Sequence, residues 1–228
     1  MNRIRVGLPL AGLAMLGTAG AGCSSGSPEP ATQAIEPPRL SVGQVCAGLF
    51  PAEGGKALER VLESTAFLLR DEKKNPDARA VAQAMEDAYR SGKNISDMPQ
   101  SSCEISGQPA ATRLAPARVR FTAYSLYAGD PAGFPGVSDR GVRVSTRERK
   151  VVYLDYDCVS PRVGSTPEVP LRIRLFFQER WAASKGDPVL RPDYLAIAHS
   201  AALAVAKELR CVDDGGLPAR AEELPAGD

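Results

Sequence analysis

Few residues in this chain have the types and spacing for chemistry. There is one histidine, His199, and one pair of aspartates two residues apart, Asp155 and Asp157. A histidine titrates near neutral pH and can act as a general base. Any such catalysis here must use His199. In the helix that "RPDYLAIAHSAALAVAKELRC" predicts, His199 lies in line with Leu195, Ala202 and Val205 or Ala206. That placement reads as an imidazole at the core boundary, hydrogen-bonded to a neighbour. No G-x-S-x-G elbow, P-loop or dinucleotide fingerprint accompanies it, so no residue is assigned a catalytic role. Two carboxylates on one strand face suit a glycosidase pair or a cation. Cross-strand pairing with Arg172 and Arg174 is the simpler account, worth about 0.2–1 kcal/mol per pair.

Cysteine supplies the stronger constraint. Cys46, Cys103, Cys158 and Cys211 are tens of residues apart, whereas zinc ligands usually come in close pairs such as C-x-x-C. Neither a metal nor another cofactor is expected, and disulfides are. Four cysteines allow three pairings. A fifth, Cys23, makes the count odd. In an oxidising compartment that leaves one thiol over, unless Cys23 is otherwise used.

The residues before Cys23 indicate such a use. Arg3 and Arg5 form a short positive region, Val6 to Gly17 is apolar, and Thr18 to Gly22 are small or near-small. This is the layout of a secretory signal peptide over residues 1–22. The apolar run is shorter than the roughly 20 residues that a membrane span needs. "GAGC" resembles the lipobox of bacterial lipoproteins, with Gly20 where those usually carry Leu. The resemblance implies a diacylglyceryl thioether at Cys23, two acyl chains that suffice for stable anchoring. Ordinary cleavage after "AGA" is the alternative. Residues 23–40, rich in Pro, Ser and Ala, read as a flexible tether. Losing residues 1–22 removes Arg3 and Arg5 and leaves 26 basic against 27 acidic residues. That balance lacks the basic footprint of a nucleic-acid binder.

A single domain over residues 41–212 follows. "SVGQVCAGLF" predicts a short helix capped by Ser41 that carries Val45, Cys46 and Leu49 on one side and ends at Pro51, Gly54 and Gly55. "KALERVLESTAFLLR" has helical spacing. "NPDARAVAQAMEDAYRSG" predicts a helix capped by Asn75, with Pro76 at its first position and Gly92 at its end. The period then changes to two. "CEIS", "ARVRFTAYSLYA", "KVVYLDYDCV" and "VPLRIRLFFQERW" alternate as strands, separated in part by a long turn, "AGDPAGFPGVSDRG".

The last two strands fit one antiparallel register. Asp157 opposite Arg172 also sets Asp155 opposite Arg174, while Tyr156 meets Ile173 and Leu154 meets Leu175 on the inner face. The final helix is apolar nearly all round and must be deeply packed. Residues 213–228 read as a loose tail. The fold class is α+β: an antiparallel sheet of four to five strands with helices packed on one face. Cys46 and Cys211 then sit at helix ends, with Cys103 and Cys158 on inward strand faces. Sequence neighbours are the simplest partners, which gives Cys46–Cys103 and Cys158–Cys211.

"VCAGLF", "LDYDCVSPRV", "PLRIRL" and "HSAALAVAKELRC" together resemble a group of uncharacterised actinomycete lipoproteins of streptomycete type, over roughly residues 44–211. The resemblance implies an exported, lipid-anchored protein with four framework cysteines, and no activity.

The sheet's outward face gathers Arg118, Arg120, Tyr124, Tyr153, Asp155, Asp157, Arg172, Arg174 and Phe176. Arginine and aromatic residues together are what interaction surfaces favour. Trp181, the single tryptophan, falls at a strand end and is expected to be packed. The expected function is binding or sensing at the outer face of the cell membrane, with the lipid anchor as one partner and an envelope protein or component as the other. A secreted hydrolase with an unrecognised site is the alternative. A solute-binding lipoprotein would need two lobes and a longer chain.

Overall fold

Alternating apolar residues in β5 (Val151–Cys158) and β6 (Leu171–Glu179) determine the centre of the fold. Their pairing follows the two-face argument: Asp157 opposes Arg172, Asp155 opposes Arg174, Tyr156 opposes Ile173 and Leu154 opposes Leu175. A slip of one residue would turn either Leu154 and Tyr156 of β5 or Ile173 and Leu175 of β6, all buried, to the opposite face. In this computed structural model the described residues are 38–71, 74–92, 101–107, 117–124, 141–147, 151–179 and 192–226. The signal peptide, Cys23, nearly all of the tether, Trp181 and the long turn after Tyr124 fall outside them.

Around this pair the sheet is antiparallel and six-stranded, in the order β1-β2-β3-β6-β5-β4. β2 (Ser101–Gly107) and β3 (Ala117–Tyr124) are the other two strands with clear alternation. β4 (Arg143–Arg147) pairs outside β5, and Val144 sits opposite Leu154. β1 (Phe67–Leu69) lies at the other edge, and Phe67 also bridges to Leu40. The helical spacing of "KALERVLESTAFLLR" places residues 67–69 at the end of a helix, whereas they form this edge strand.

That helix, α1 (Ala52–Leu62), stops earlier and starts earlier than its spacing suggested. Glu63 adopts a left-handed conformation with φ 47°. Its amide donates to the Arg60 carbonyl, and the Ser64 amide donates back to the Glu59 carbonyl at 3.1 Å. This is a Schellman stop, a position at which glycine is the usual residue. Freed from the helix, Phe67 and Leu69 align with Gly107 and Ile105 of β2. Glycine escapes the left-handed penalty, at the cost of a looser unfolded chain. Glu63→Gly is therefore expected to stabilise the protein by ~0.5–1 kcal/mol, read as a higher urea midpoint.

At its N-terminal end α1 runs through Gly54 and Gly55, which had been read as a stop. The helix–helix packing explains why. A Cβ on Gly54 would lie 2.3 Å from the Ser200 Cβ, so the bare backbone lets α1 close onto α3 (Pro192–Leu209). The Ser200 hydroxyl donates to the Pro51 carbonyl at 2.9 Å, and Arg60 Nη2 meets Asp193 at 2.7 Å. The expected short helix before α1 is instead a 3-10 turn, Val45–Gly48, with Cys46 and Ala47 both at positive φ.

The Ala47 amide donates to Asn75 Oδ1 at 2.9 Å. Asn75 is therefore engaged with that turn rather than capping a helix. The cap of α2 (Ala78–Arg90) is Asp77, whose carboxylate accepts from the Ala80 amide at 2.7 Å.

α3 touches α1, α2, β5 and β6, which is why it is apolar nearly all round. The Phe177 and Tyr194 rings meet at a centroid distance of 5.3 Å. The Tyr156 hydroxyl reaches the Ala202 carbonyl at 3.4 Å, and burial raises the pKa of this phenol well above its ordinary value. No helix among the described residues is long and apolar enough to cross a membrane.

The two disulfides join Cys46 to Cys103 and Cys158 to Cys211. Each ties an inward strand position to a segment of the helical layer. The C-terminal segment, expected to be loose, is attached. The Val212 amide donates to Val159 at 2.8 Å, Leu217 is buried, and Gly215 rests on the Tyr156 ring, where a Cβ would come within 2.8 Å. "DDGG" belongs to the stretch that the sequence reads as a loose tail, and it forms an ordered turn. It is a left-handed one, with Asp213, Asp214, Gly215 and Gly216 all at positive φ.

Candidate functional site

The side of the sheet away from the helices forms a grid of charged and aromatic side chains. Register gives its rows. In one row Ser102 of β2 faces Arg120, Arg120 faces Phe176, Phe176 faces Tyr153 and Tyr153 faces Ser145. In the next, Thr122 faces Arg174, Arg174 faces Asp155 and Asp155 faces Arg143. Beyond that, Tyr124 faces Arg172 and Arg172 faces Asp157.

The contacts run along and between the rows. The Arg174 guanidinium takes both oxygens of Asp155, through Nε at 2.6 Å and Nη2 at 2.5 Å, and lies 5.3 Å from the centroid of the Tyr153 ring. Tyr153 and Phe176 meet at 5.3 Å, tilted by 51°. The Arg120 guanidinium sits 5.5 Å over Phe176. Arg172 Nε lies 3.1 Å from Asp157, which also accepts from the Gly141 amide at 3.0 Å.

The sequence places nine residues on this outward face, and their exposure divides them. Arg172 and Arg174 are 3% and 6% exposed and belong to the protein's own packing. Each guanidinium lies against the carboxylate of its cross-strand partner. Arg120, Tyr153, Asp155 and Asp157 are half-buried. For Tyr124 only the backbone register falls among the described residues. Phe176, half-buried beside Arg120, completes the accessible part.

Toward β1 the grid continues with Arg118 and Glu104. One carboxylate oxygen of Glu104 takes Arg118 Nη2 at 2.5 Å, and the other faces Arg70 at 3.4 Å. Arg120, two residues from Arg118, has no such partner among the described residues, and its Nε is buried without a hydrogen bond. Burial and the like charge of Arg118 hold the Arg120 guanidinium below its ordinary pKa.

His199 lies on the opposite side of the molecule's core. It is 5% exposed, and its Nε2 faces the Pro218 carbonyl at 2.8 Å. A cavity of about 350 Å3 runs beside it, lined by Gly54, Ser200, Leu203 and Lys207 among others. Ser200 is adjacent in sequence, but its hydroxyl donates to Pro51. The pair thus lacks the nucleophile-to-base hydrogen bond that acyl transfer needs. His199 instead holds the C-terminal segment onto α3. Among the described residues, no group of three His, Cys, Asp or Glu could hold a metal ion.

The role of the "CVSPR" stretch was not legible in the sequence. Cys158 makes its disulfide, the Ser160 hydroxyl donates to the Leu209 carbonyl at 2.5 Å, and Arg162 branches three ways. Its Nε donates to Glu86 at 2.8 Å, its Nη1 to the Glu208 carbonyl at 2.9 Å and its Nη2 to Gln83 at 3.1 Å. Arg90 takes the other oxygen of Glu86 at 2.6 Å. The stretch caps the end of α3 and ties it to α2, which is a structural role. Comparison with known proteins finds no matching family model, no matching curated protein and no matching solved structure.

Proposed function

We propose that this chain is exported, held at the outer face of the cell membrane by a diacylglyceryl group on Cys23, and works there as a binding module. In this reading the tether of residues 23–40 carries the folded body, and the outward sheet face receives another envelope component. One observation supports this above the others. Arg120, Phe176 and Tyr153 form a contiguous cation–aromatic surface that is half-exposed, on the side of the sheet opposite the helical layer. Arginine and aromatic residues are enriched in protein-binding surfaces. The paired, buried cysteines agree with an oxidising compartment.

Two measurements test the reading. Mass spectrometry of the native protein should find the mature N-terminus at a diacylglyceryl-modified Cys23; an unmodified N-terminus at Gly22 would refute the anchor. A photoreactive amino acid in place of Tyr153, irradiated in intact cells, should give a discrete adduct of higher mass. The same probe in place of Asp87, exposed on α2, should give none. Equal labelling from both positions would refute the binding face.

A further inference from the structure

The geometry points to Arg120 as the seat of a carboxylate, presented by an extended acidic segment of a partner protein. This rests on the outward sheet face being the binding face, and adds the chemistry of what binds.

Charge balance singles out Arg120. On the outward face Arg174 and Arg143 stand on either side of Asp155, Arg172 faces Asp157, and Arg118 and Arg70 share Glu104. Arg120 stacks on Phe176 and pairs with no carboxylate among the described residues. Its Nε is buried, so Nη1 and Nη2 are the donors left for bidentate recognition of an oxyanion. The cation is half-buried, so a carboxylate arriving there meets a charge that water screens only in part. Arg118 stands two residues along the same strand, about 7 Å away.

An extended peptide carries its same-side residues at that period of two. Alternate acidic residues could then meet Arg120 and compete with Glu104 for Arg118. Phe176 and Tyr153 supply flat apolar area beside the fork, as the centre of a protein interface does.

The source of the anion follows from the whole chain. A binder of phosphate polymers presents a large excess of basic charge. This chain, without residues 1–22, has 26 basic and 27 acidic residues. An arginine without a carboxylate among the described residues, beside paired ones, suits one or two carboxylates at a protein–protein contact.

The test uses the full-length, lipid-modified protein in detergent micelles at low ionic strength. Fluorescence anisotropy follows a labelled peptide of alternating Glu and Ala. A Lys–Ala peptide and a glycerol phosphate oligomer are the other arms. The Glu–Ala peptide should bind, and the Lys–Ala peptide should not. Arg120→Gln should weaken binding at least tenfold, and Phe176→Leu, which removes the ring, several-fold. Arg79→Gln, on the exposed surface of α2, should leave it unchanged.

Equal binding by wild type and Arg120→Gln would overturn the proposal. So would binding of the glycerol phosphate oligomer without the Glu–Ala peptide. If the peptide fails while the adduct at position 153 still forms, the face binds a partner of other chemistry. If the adduct is also absent, the binding face falls as well.

Discussion

Replacing both cysteines of the second disulfide, Cys158→Ala with Cys211→Ala, is expected to lower stability by about 4 kcal/mol. The bridge spans a sequence separation of 53 residues. The chain-entropy relation for a loop of that size gives the figure, because the unfolded chain regains the freedom that the cross-link removed. A typical domain has roughly 5–15 kcal/mol in total, so the urea midpoint should fall by a quarter or more. The denaturant slope should rise at the same time, since an uncrosslinked unfolded chain exposes more surface.

The folded state changes less. Cys211 is already placed by the hydrogen bond its amide donates to the Ala206 carbonyl at 3.0 Å, and the Val212 amide donates to the Val159 carbonyl. The C-terminal segment should therefore keep its position while its amides exchange faster. A loss below about 1 kcal/mol with no change in slope would show that the unfolded chain was not the state being constrained.

The same bridge shows what the sequence discloses and what it conceals. Its partners were legible because two simple patterns agree: Cys158 shares a face with Leu154 and Tyr156, and Cys211 ends an apolar helix. The register of β5 against β6 was legible for a similar reason. One alignment satisfies Asp155 with Arg174 on one side and Leu154 with Leu175 on the other, and no adjacent register does both.

β1 was concealed because Leu58, Val61, Leu62, Ala66 and Leu69 continue a helical spacing past the true end of α1. Glycine would have marked that stop, and Glu63 occupies it. β4 was concealed beside a turn-rich stretch. The C-terminal segment was misjudged because Gly, Pro and Asp were read as looseness. Its left-handed turn at Asp213 to Gly216 uses those residues to bring Leu217 into the core and Pro218 onto His199.

The candidate site was legible in residue type and not in energetics. Alternation alone put Arg118, Arg120, Arg172 and Arg174 on one face. It did not distinguish a guanidinium clamped by a carboxylate from one stacked on a ring and left unmatched. That distinction depends on which neighbour each strand receives. Arg174 receives Asp155 from β5, whereas Arg120 receives Ser102 on one side and Phe176 on the other. Sheet order, not the local pattern, determines which cation is available. The order β2-β3-β6-β5 is not a property of any single strand.

Arg162→Met is expected to cost about 3 kcal/mol, more than any surface arginine should. Arg162 is 27% exposed, but the Glu86 carboxylate it holds is 6% exposed. Methionine keeps the aliphatic stem and removes the charge. Glu86 then retains only Arg90, which is largely in solvent, and the Glu208 carbonyl loses its donor at the end of α3. Leaving a buried charge half-matched is what makes breaking such a pair expensive, with losses of about 3–5 kcal/mol when one partner is removed outright.

The cause can be isolated with Glu86→Gln in the Arg162→Met background, which removes the stranded charge. The double variant should be at least about 1 kcal/mol more stable than the two single losses added together. Strict additivity in urea unfolding would mean that Glu86 and Arg162 do not act as a pair. A coupling of the expected size would place the joint between α2, α3 and the β5–β6 connection at Arg162.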